Sequence, residues 1–343
     1  MTPGWISVFI FFGMMNGYIA LRYMQIHFVS YHLQKQMIYF IVHGALLLNA
    51  LFYFYQFFTG KMQSPYRRYQ AIVAGFYLTF LHYAFIFSVI YDFVLKSLIE
   101  PTYVYVDLWI FILAFAISFY GYVNGRKLKM TRYPLTLPLK SSSLSQLKVL
   151  FISDMHFGVS WNVKRIQDFV EAMNRLDLDL VLLGGDFFDE GSPELEKRQA
   201  AHHLSQIRSR YGSFYIEGNH EYKSENVSIQ KQLDTIRHAG ITVLEDEAVL
   251  IDESFYLVGR KDDEGSRKPL ASILDDIQEN YPVLMLDHRP HHKEALHSRM
   301  VDLQLSGHTH AGQFLPFGLM NRFLARYVYS YVYGLYQKDL FKL

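Results

Sequence analysis

Lys148-Val-Leu-Phe-Ile-Ser-Asp-Met-His156 decides the fold: a short apolar run with the length of a buried strand stops at two side chains that bind cations. The same grammar recurs downstream. Asp179 to Leu183 runs into Gly184-Gly-Asp186, Ser213 to Glu217 into Gly218-Asn-His-Glu221, Val283 to Leu286 into Asp287-His288-Arg-Pro290, and Leu303 to Leu305 into Gly307-His-Thr-His310. Helical patterns at Val163 to Arg175, Glu194 to Arg208 and Ile229 to His238, the last closed by Gly240, separate the earlier runs. Further strands are expected at Thr242 to Leu244, Val249 to Ile251 and Phe255 to Val258. Strands alternating with helices make an α/β sheet, in which loops at the strand carboxyl ends gather into one crevice. Residues far apart in sequence are thereby expected to meet.

Asp154, Asp186 and Asn219 offer oxygen, and His156, His288, His308 and His310 offer imidazole nitrogen. Hard and borderline divalent cations take such donors, and a pair of cations ~3.5–4 Å apart needs one carboxylate facing both. Gly184 and Gly185 let the backbone turn tightly enough for Asp186 to be that group. The donor set favours Mn²⁺, Fe or Zn²⁺ over copper. With no cysteine in the chain, disulfides and thiolate metal sites are excluded.

D-x-H, G-D, G-N-H-[DE], H and G-H-x-H, in this order, resemble the calcineurin-like metallophosphoesterases over about residues 148 to 318. The resemblance implies an α/β metallophosphoesterase domain, a β-sandwich flanked by helices, with two divalent metal ions. It implies that Asp154, His156 and His310 hold the first metal, that Asp186 bridges, and that Asn219, His288 and His308 hold the second. His220 resembles the family's non-ligand histidine, which stabilises the transition state or protonates the leaving oxygen. Two cations lower the pKa of a bridging water, so hydroxide is expected as the in-line nucleophile near neutral pH.

Neighbouring polar groups have plainer readings. Asp287, His291 and His292 are expected at a helix start or on the surface, His202 and His203 on a solvated helix face, and Asp189 and Glu190 as loop groups or partners of a ligand histidine. Asp262 and Asp263 resemble a turn of the membrane-associated branch of the family, without a mechanism that assigns them a role.

Upstream the composition changes: residues 1 to 125 are crowded with Phe, Tyr, Ile and Leu and poor in charge. Trp5 to Leu21, Met37 to Phe58, Ala71 to Leu95 and Tyr103 to Val123 each approach the ~20 residues that span a bilayer. Residues 1–125 are therefore expected to form an N-terminal α-helical transmembrane domain of four helices, or three if the first lies at the interface. A cleaved signal peptide is not expected. Lys61, Arg67, Arg68, Arg126, Lys127, Lys129, Arg132 and Lys140 fall on one side, against Arg22, Lys35 and Lys96 on the other. Eight against three places both termini and the soluble domain in the cytoplasm. Asp92 and Asp107 are expected to be solvated or paired near span ends, and His43 and His82 to be neutral groups bonding between helices.

Residues 126–147, with basic groups, Pro134, Pro138 and Ser141 to Ser143, read as a juxtamembrane linker whose charges rest on anionic head groups. Residues 148–343 then form the metallophosphoesterase domain. After Gln313 it looks short at the C-terminus: the tail Phe314 to Leu343 is expected to lack the family's closing strands and to pack on the domain or lie on the membrane. The net charge of +1 gives no case for nucleic acid as a partner. The expected protein is an integral, multi-pass membrane hydrolase of phosphoester or pyrophosphate bonds, with membrane lipids as partners. Within the family it most resembles the branch of UDP-2,3-diacylglucosamine hydrolases, which implies a lipid-linked pyrophosphate substrate. The alternatives are a phosphodiesterase or phosphatase on soluble substrates, and a non-catalytic metal-binding scaffold.

Overall fold

The computed structural model describes residues 3–27, 33–58, 66–96, 103–137, 140, 144–158, 161–188, 192–223, 228–310, 318, 323, 331–338 and 341–343. Asp189, Glu190, Lys61, Pro138, Ser141 to Ser143 and most of the tail after His310 lie outside the described residues. The chain divides into two compact units, Met1–Thr131 and Arg132–Leu343.

The first unit is helical: α1 (Pro3–His27), α2 (Leu33–Phe58), α3 (Arg67–Ile90), running on through a π-helical turn (Tyr91–Leu95), and α4 (Tyr103–Asn124). Its core mixes small residues, Ala50, Ala74, Ala84 and Ala114 being fully buried, with large ones such as Phe12, Tyr77 and Leu81. Small side chains let apolar helices approach closely enough for dispersion to hold them. Of the four expected spans, two stretches, Arg68–Leu95 and Val106–Asn124, are long and apolar enough to cross a membrane, and Phe40–Gln56 is a shorter apolar stretch. Asp92 and Asp107 are both held by Arg22, whose Nε donates to Asp107 at 2.7 Å, while Tyr18 donates to Asp92. The Tyr77 hydroxyl donates to Asn16 at 2.5 Å and lies 3.5 Å from the His43 ring nitrogens.

In the second unit, β1 (Val149–Ile152), β2 (Leu180–Leu183), β3 (Ser213–Tyr215) and β4 (Thr242–Val243) form a parallel sheet in that order. All four β2 residues are buried, as a strand covered on both faces must be. A second sheet has the order β5-β6-β7-β8-β10-β9, from β5 (Glu247–Ile251), β6 (Phe255–Gly259), β7 (Val283–Leu286), β8 (Leu303–Leu305), β9 (Gln337–Lys338) and β10 (Phe341–Lys342). Its central pairs β6·β7, β7·β8 and β8·β10 are parallel, and the edge pairs antiparallel.

Leu180, Leu182, Phe214 and Ile216 of the first sheet meet Leu257, Leu284, Leu286 and Leu303 of the second in one core. Helices α5 (Val163–Met173), α6 (Glu194–Leu204) and α8 (Ile229–His238) cover the outer face of the first sheet, while α9 (Leu270–Leu274) and α10 (His292–Ser298) cover that of the second. The result is a sandwich flanked by helices. A further short helix, α7 (Asn219–Tyr222), follows β3.

Two stretches depart from the sequence reading. The tail supplies β9 and β10, and Phe341 is buried in the core beneath the second sheet. Two-residue strands carry no periodicity, so nothing in the sequence announces them. From Arg132 the expected linker belongs to the second unit: Leu135, Leu137, Leu144 and Leu147 pack against the core between the sheets, and Lys140 pairs with Asp302 at 2.8 Å. Burial of these four leucines against an apolar core supplies a driving force that the basic groups of the segment do not reveal.

Candidate metal centre

Each motif lies just beyond a strand, and the backbone there is bent in a way few residues accept. Asp154, His156, Asp186, His308 and His310 all have positive φ, between 46° and 70°. Such conformations cost about 1–3 kcal/mol each in a non-glycine residue and persist where surrounding structure enforces them. Gly185 must be glycine on two counts: its φ is +87°, and a Cβ there would stand 2.7 Å from the Gly218 nitrogen.

The bends bring the donor atoms together. His156 Nε2 and His310 Nε2 stand 3.1 Å apart, with Asp154 Oδ1 3.4 Å from the latter and Asp186 Oδ2 3.9 Å from the former. On the other side of Asp186, its Oδ2 is 3.1 Å from His288 Nε2, and Asn219 Oδ1 lies 3.2 Å from His288 Nε2 and 2.7 Å from His308 Nδ1. Three overlapping groups, Asp154-His156-His310, His156-Asp186-His220 and Asp186-His288-His308, each keep their donor atoms within 4.8 Å of one another. His156 and Asp186 each belong to two of them, and Asp186 is the one carboxylate that does, the position a shared carboxylate must occupy.

These spacings fit cation binding. Bonds of about 2.0–2.2 Å place neighbouring ligands about 3 Å apart around an octahedral ion and somewhat farther around a tetrahedral one. The His156–His310 nitrogen pair, close and flanked by carboxylate oxygen, has that separation.

Partners behind the donors fix their orientation. His288 Nδ1 lies 2.8 Å from the Gly184 carbonyl and must donate to it, which leaves Nε2, facing Asp186 and Asn219, as the nitrogen that can give a lone pair to a cation once its proton is lost. Asp154 accepts the Ser153 hydroxyl and the His308 N–H, at 2.9 Å from Oδ1. Asp186 Oδ1 accepts the His220 N–H at 2.8 Å, and the His220 ring stands edge-on to His156 with centroids 4.6 Å apart.

Electrostatics follow from this geometry. Burial alone would raise Asp186, but the hydrogen bond and charge of His288 and the His220 N–H hold its carboxyl well below the usual range. Burial would likewise lower His288, yet the Asp186 carboxylate lifts it to about 9. Burial, then the charges of His288 and Arg289, push His308 down to about 4, so its imidazole is neutral near pH 7. Burial lowers His310 as well.

All eight residues singled out in the sequence, Asp154, His156, Asp186, Asn219, His220, His288, His308 and His310, are thus in one place. Motif reading assigns no role to Glu221, which is 1% exposed and accepts backbone N–H groups from Asp186 (3.1 Å), Phe187 (2.8 Å), Phe188 (3.4 Å) and Gly218 (2.8 Å). One carboxylate therefore ties the loop after β2 to the loop after β3. Asp287 is not a surface group: it is buried and paired with Arg267. Asp262 binds Arg289 through both oxygens at 2.9 Å, and Asp263 pairs with His291 at 2.6 Å. His202 and His203 lie on α6, bonded to Gln206 and Gln167 at the surface.

The fold and donor set are those of a metallophosphoesterase domain, and a model of the calcineurin-like phosphoesterase family matches residues 147–312. An uncharacterized metallophosphoesterase of Aquifex aeolicus is 30% identical over 208 residues, 58% of this chain and 76% of the relative. The chain belongs to the calcineurin-like phosphoesterase family. An uncharacterized metallophosphoesterase of Helicobacter pylori is 33% identical over 198 residues, 56% of this chain and 51% of the relative. A Bos taurus protein described as a transmembrane protein with metallophosphoesterase domain is 30% identical over 215 residues, 57% of this chain and 46% of the relative. The chain spans about half the length of these last two relatives.

Proposed function

We propose that this protein is a membrane-anchored hydrolase of phosphoester or pyrophosphate bonds that works with two divalent cations. The observation that carries the reading is the sharing of Asp186 between donor groups on either side of it. Asp154, His156 and His310 would hold one cation, Asn219, His288 and His308 the other, and Asp186 both. Mn²⁺ suits this mixed oxygen and imidazole set, with Fe or Zn²⁺ as alternatives. When bound, such a pair supplies Lewis acidity toward the phosphoryl oxygens and acidifies coordinated water.

The remaining steps belong to the chain. His220, outside the assigned ligand set, lies at the edge of the site next to His156 and gives a proton to the leaving oxygen. Its own backbone N–H, bonded to Asp186, keeps the start of α7 against the site. Glu221 holds the two loops in register, so that donors from β2 and β3 do not drift apart.

The anchor in this reading is the four-helix first unit, and the charge asymmetry of the loops favours a cytoplasmic second unit. A substrate embedded in the bilayer, such as a lipid-linked pyrophosphate, would be confined to the surface that confines the enzyme. The test is turnover by purified full-length protein against soluble phosphomonoesters and phosphodiesters and against lipid pyrophosphates, with metal content measured on the same sample. Metal-dependent turnover that chelation abolishes is expected, and no hydrolysis of any phosphoester with Mn²⁺ present would overturn the reading.

A further inference from the structure

One described residue of the tail, Val332, is bonded to the last of the metal-binding motifs. The hydroxyl of Thr309, which separates His308 from His310, donates to the Val332 carbonyl at 2.6 Å. From Val332 the chain turns at Gly334 (φ +92°) and returns to the sheet, where Tyr336 and Leu343 exchange backbone hydrogen bonds of 2.8 and 3.0 Å. Val332 is buried, and the Tyr331 and Tyr336 rings lie 4.4 Å apart. The turn therefore has a fixed base, yet its crest carries Tyr333 and Leu335, 60% and 43% exposed, with exposed Lys338 following.

Apolar and aromatic groups raised on a supported turn with a nearby cation have the composition of a segment that enters a bilayer interface. Residues 125–134 are all that joins α4 to Leu135, which packs on the core of the second unit. So short a run extends at most about 36 Å. If α4 is anchored in a bilayer, that bilayer is the apolar phase always within the reach of the second unit.

We propose that the Val332–Tyr336 turn is a membrane-docking lip, which lays Tyr333 and Leu335 into the phospholipid interface and opens the metal centre toward the bilayer. The inference rests on the anchored reading above and extends it: the substrate is an amphiphile approached from the membrane side. Docking needs no metal, so it can be tested without turnover.

The chain has no cysteine, so Leu335→Cys places a single thiol on the lip and Leu195→Cys, 68% exposed on α6, places one away from it. Each full-length variant, carrying a polarity-sensitive fluorophore, is reconstituted in phosphatidylcholine–phosphatidylglycerol vesicles and titrated with brominated lipid. A blue-shifted, several-fold more strongly quenched signal at position 335 than at 195 is expected. Equal, water-like emission at both positions in protein that sediments with the vesicles would overturn the lip and leave the anchor standing. Protein that stays in the supernatant would overturn the anchored reading and the lip with it. As a second readout, Tyr333→Ser with Leu335→Ser should lower the ratio of turnover on vesicle-embedded to soluble phosphodiester about tenfold, and an unchanged ratio would contradict the proposal.

Discussion

Glu221→Gln is the substitution whose cost can be worked out from the structure. The Glu221 carboxylate is buried and accepts four backbone N–H groups, Phe187 and Phe188 on Oε1 and Asp186 and Gly218 on Oε2. Glutamine keeps the shape but replaces one oxygen by an amino group, so two of these donors lose their acceptor and face another donor. A buried donor left unsatisfied costs about 1–3 kcal/mol, and two cost about 4 kcal/mol. That is a large fraction of the ~5–15 kcal/mol that holds a domain together. For a unit of this size, thermal unfolding should fall by about 10 °C. Scanning calorimetry of metal-free full-length protein in detergent, wild type against variant, reads this directly. The variant should also bind Mn²⁺ more weakly, because the Asp186 and Asn219 loops lose their common tie. A midpoint within about 2 °C of wild type, with undiminished metal affinity, would refute the role given to Glu221.

Other outcomes follow from the same geometry. His220→Ala should leave metal content intact and slow turnover about 10²–10⁴-fold, the usual range for a lost general acid; unchanged turnover would remove His220 from the mechanism. Because Asp186 lifts His288 to about 9 in the metal-free protein, His288 is protonated at pH 7.5 and must release that proton to become a ligand. Calorimetric Mn²⁺ titrations in buffers of different ionisation enthalpy should therefore show about one proton released per protein near pH 7.5 and less above pH 9, and no buffer dependence would contradict the assignment. Burial raises Glu217 to about 7, so its contribution to stability is full below the unfolded value near 4.5 and is lost as pH rises through 7. Glu217→Gln should remove up to about 3 kcal/mol of the stability loss between pH 5 and 8, and identical pH profiles for wild type and variant would argue against it.

The strand ends were the legible part of the chain. Val283–Leu286, Leu303–Leu305 and Ile229–His238 lie where their apolar runs and caps put them, and β1, β2 and β3 begin and end within two residues of expectation. Local pattern suffices there because a buried parallel strand must be apolar throughout and the residue after it is free to carry chemistry. Helices α7 and α9 went unseen, being four and five residues long, too short for a helical period to register, and of the seven-residue α10 only a start near His291 and His292 was legible. The partners behind the donors were also hidden. Glu221 was visible as a motif residue, but the four N–H groups it accepts come from two loops that only the fold brings together. Asp287 reads as a helix-start or surface group beside His288, and the position of Arg267, 20 residues away, makes its burial tolerable, with the charge of Arg260 adding to it.

Whether two cations share Asp186 is decided by electron paramagnetic resonance of the metal-free full-length protein titrated with Mn²⁺, with bound metal quantified in parallel. Two ions per chain giving an exchange-coupled dinuclear signal, reduced to isolated mononuclear Mn²⁺ in Asp186→Ala, is the expected result. Saturation at one ion, or two ions without magnetic coupling in the wild type, would contradict it.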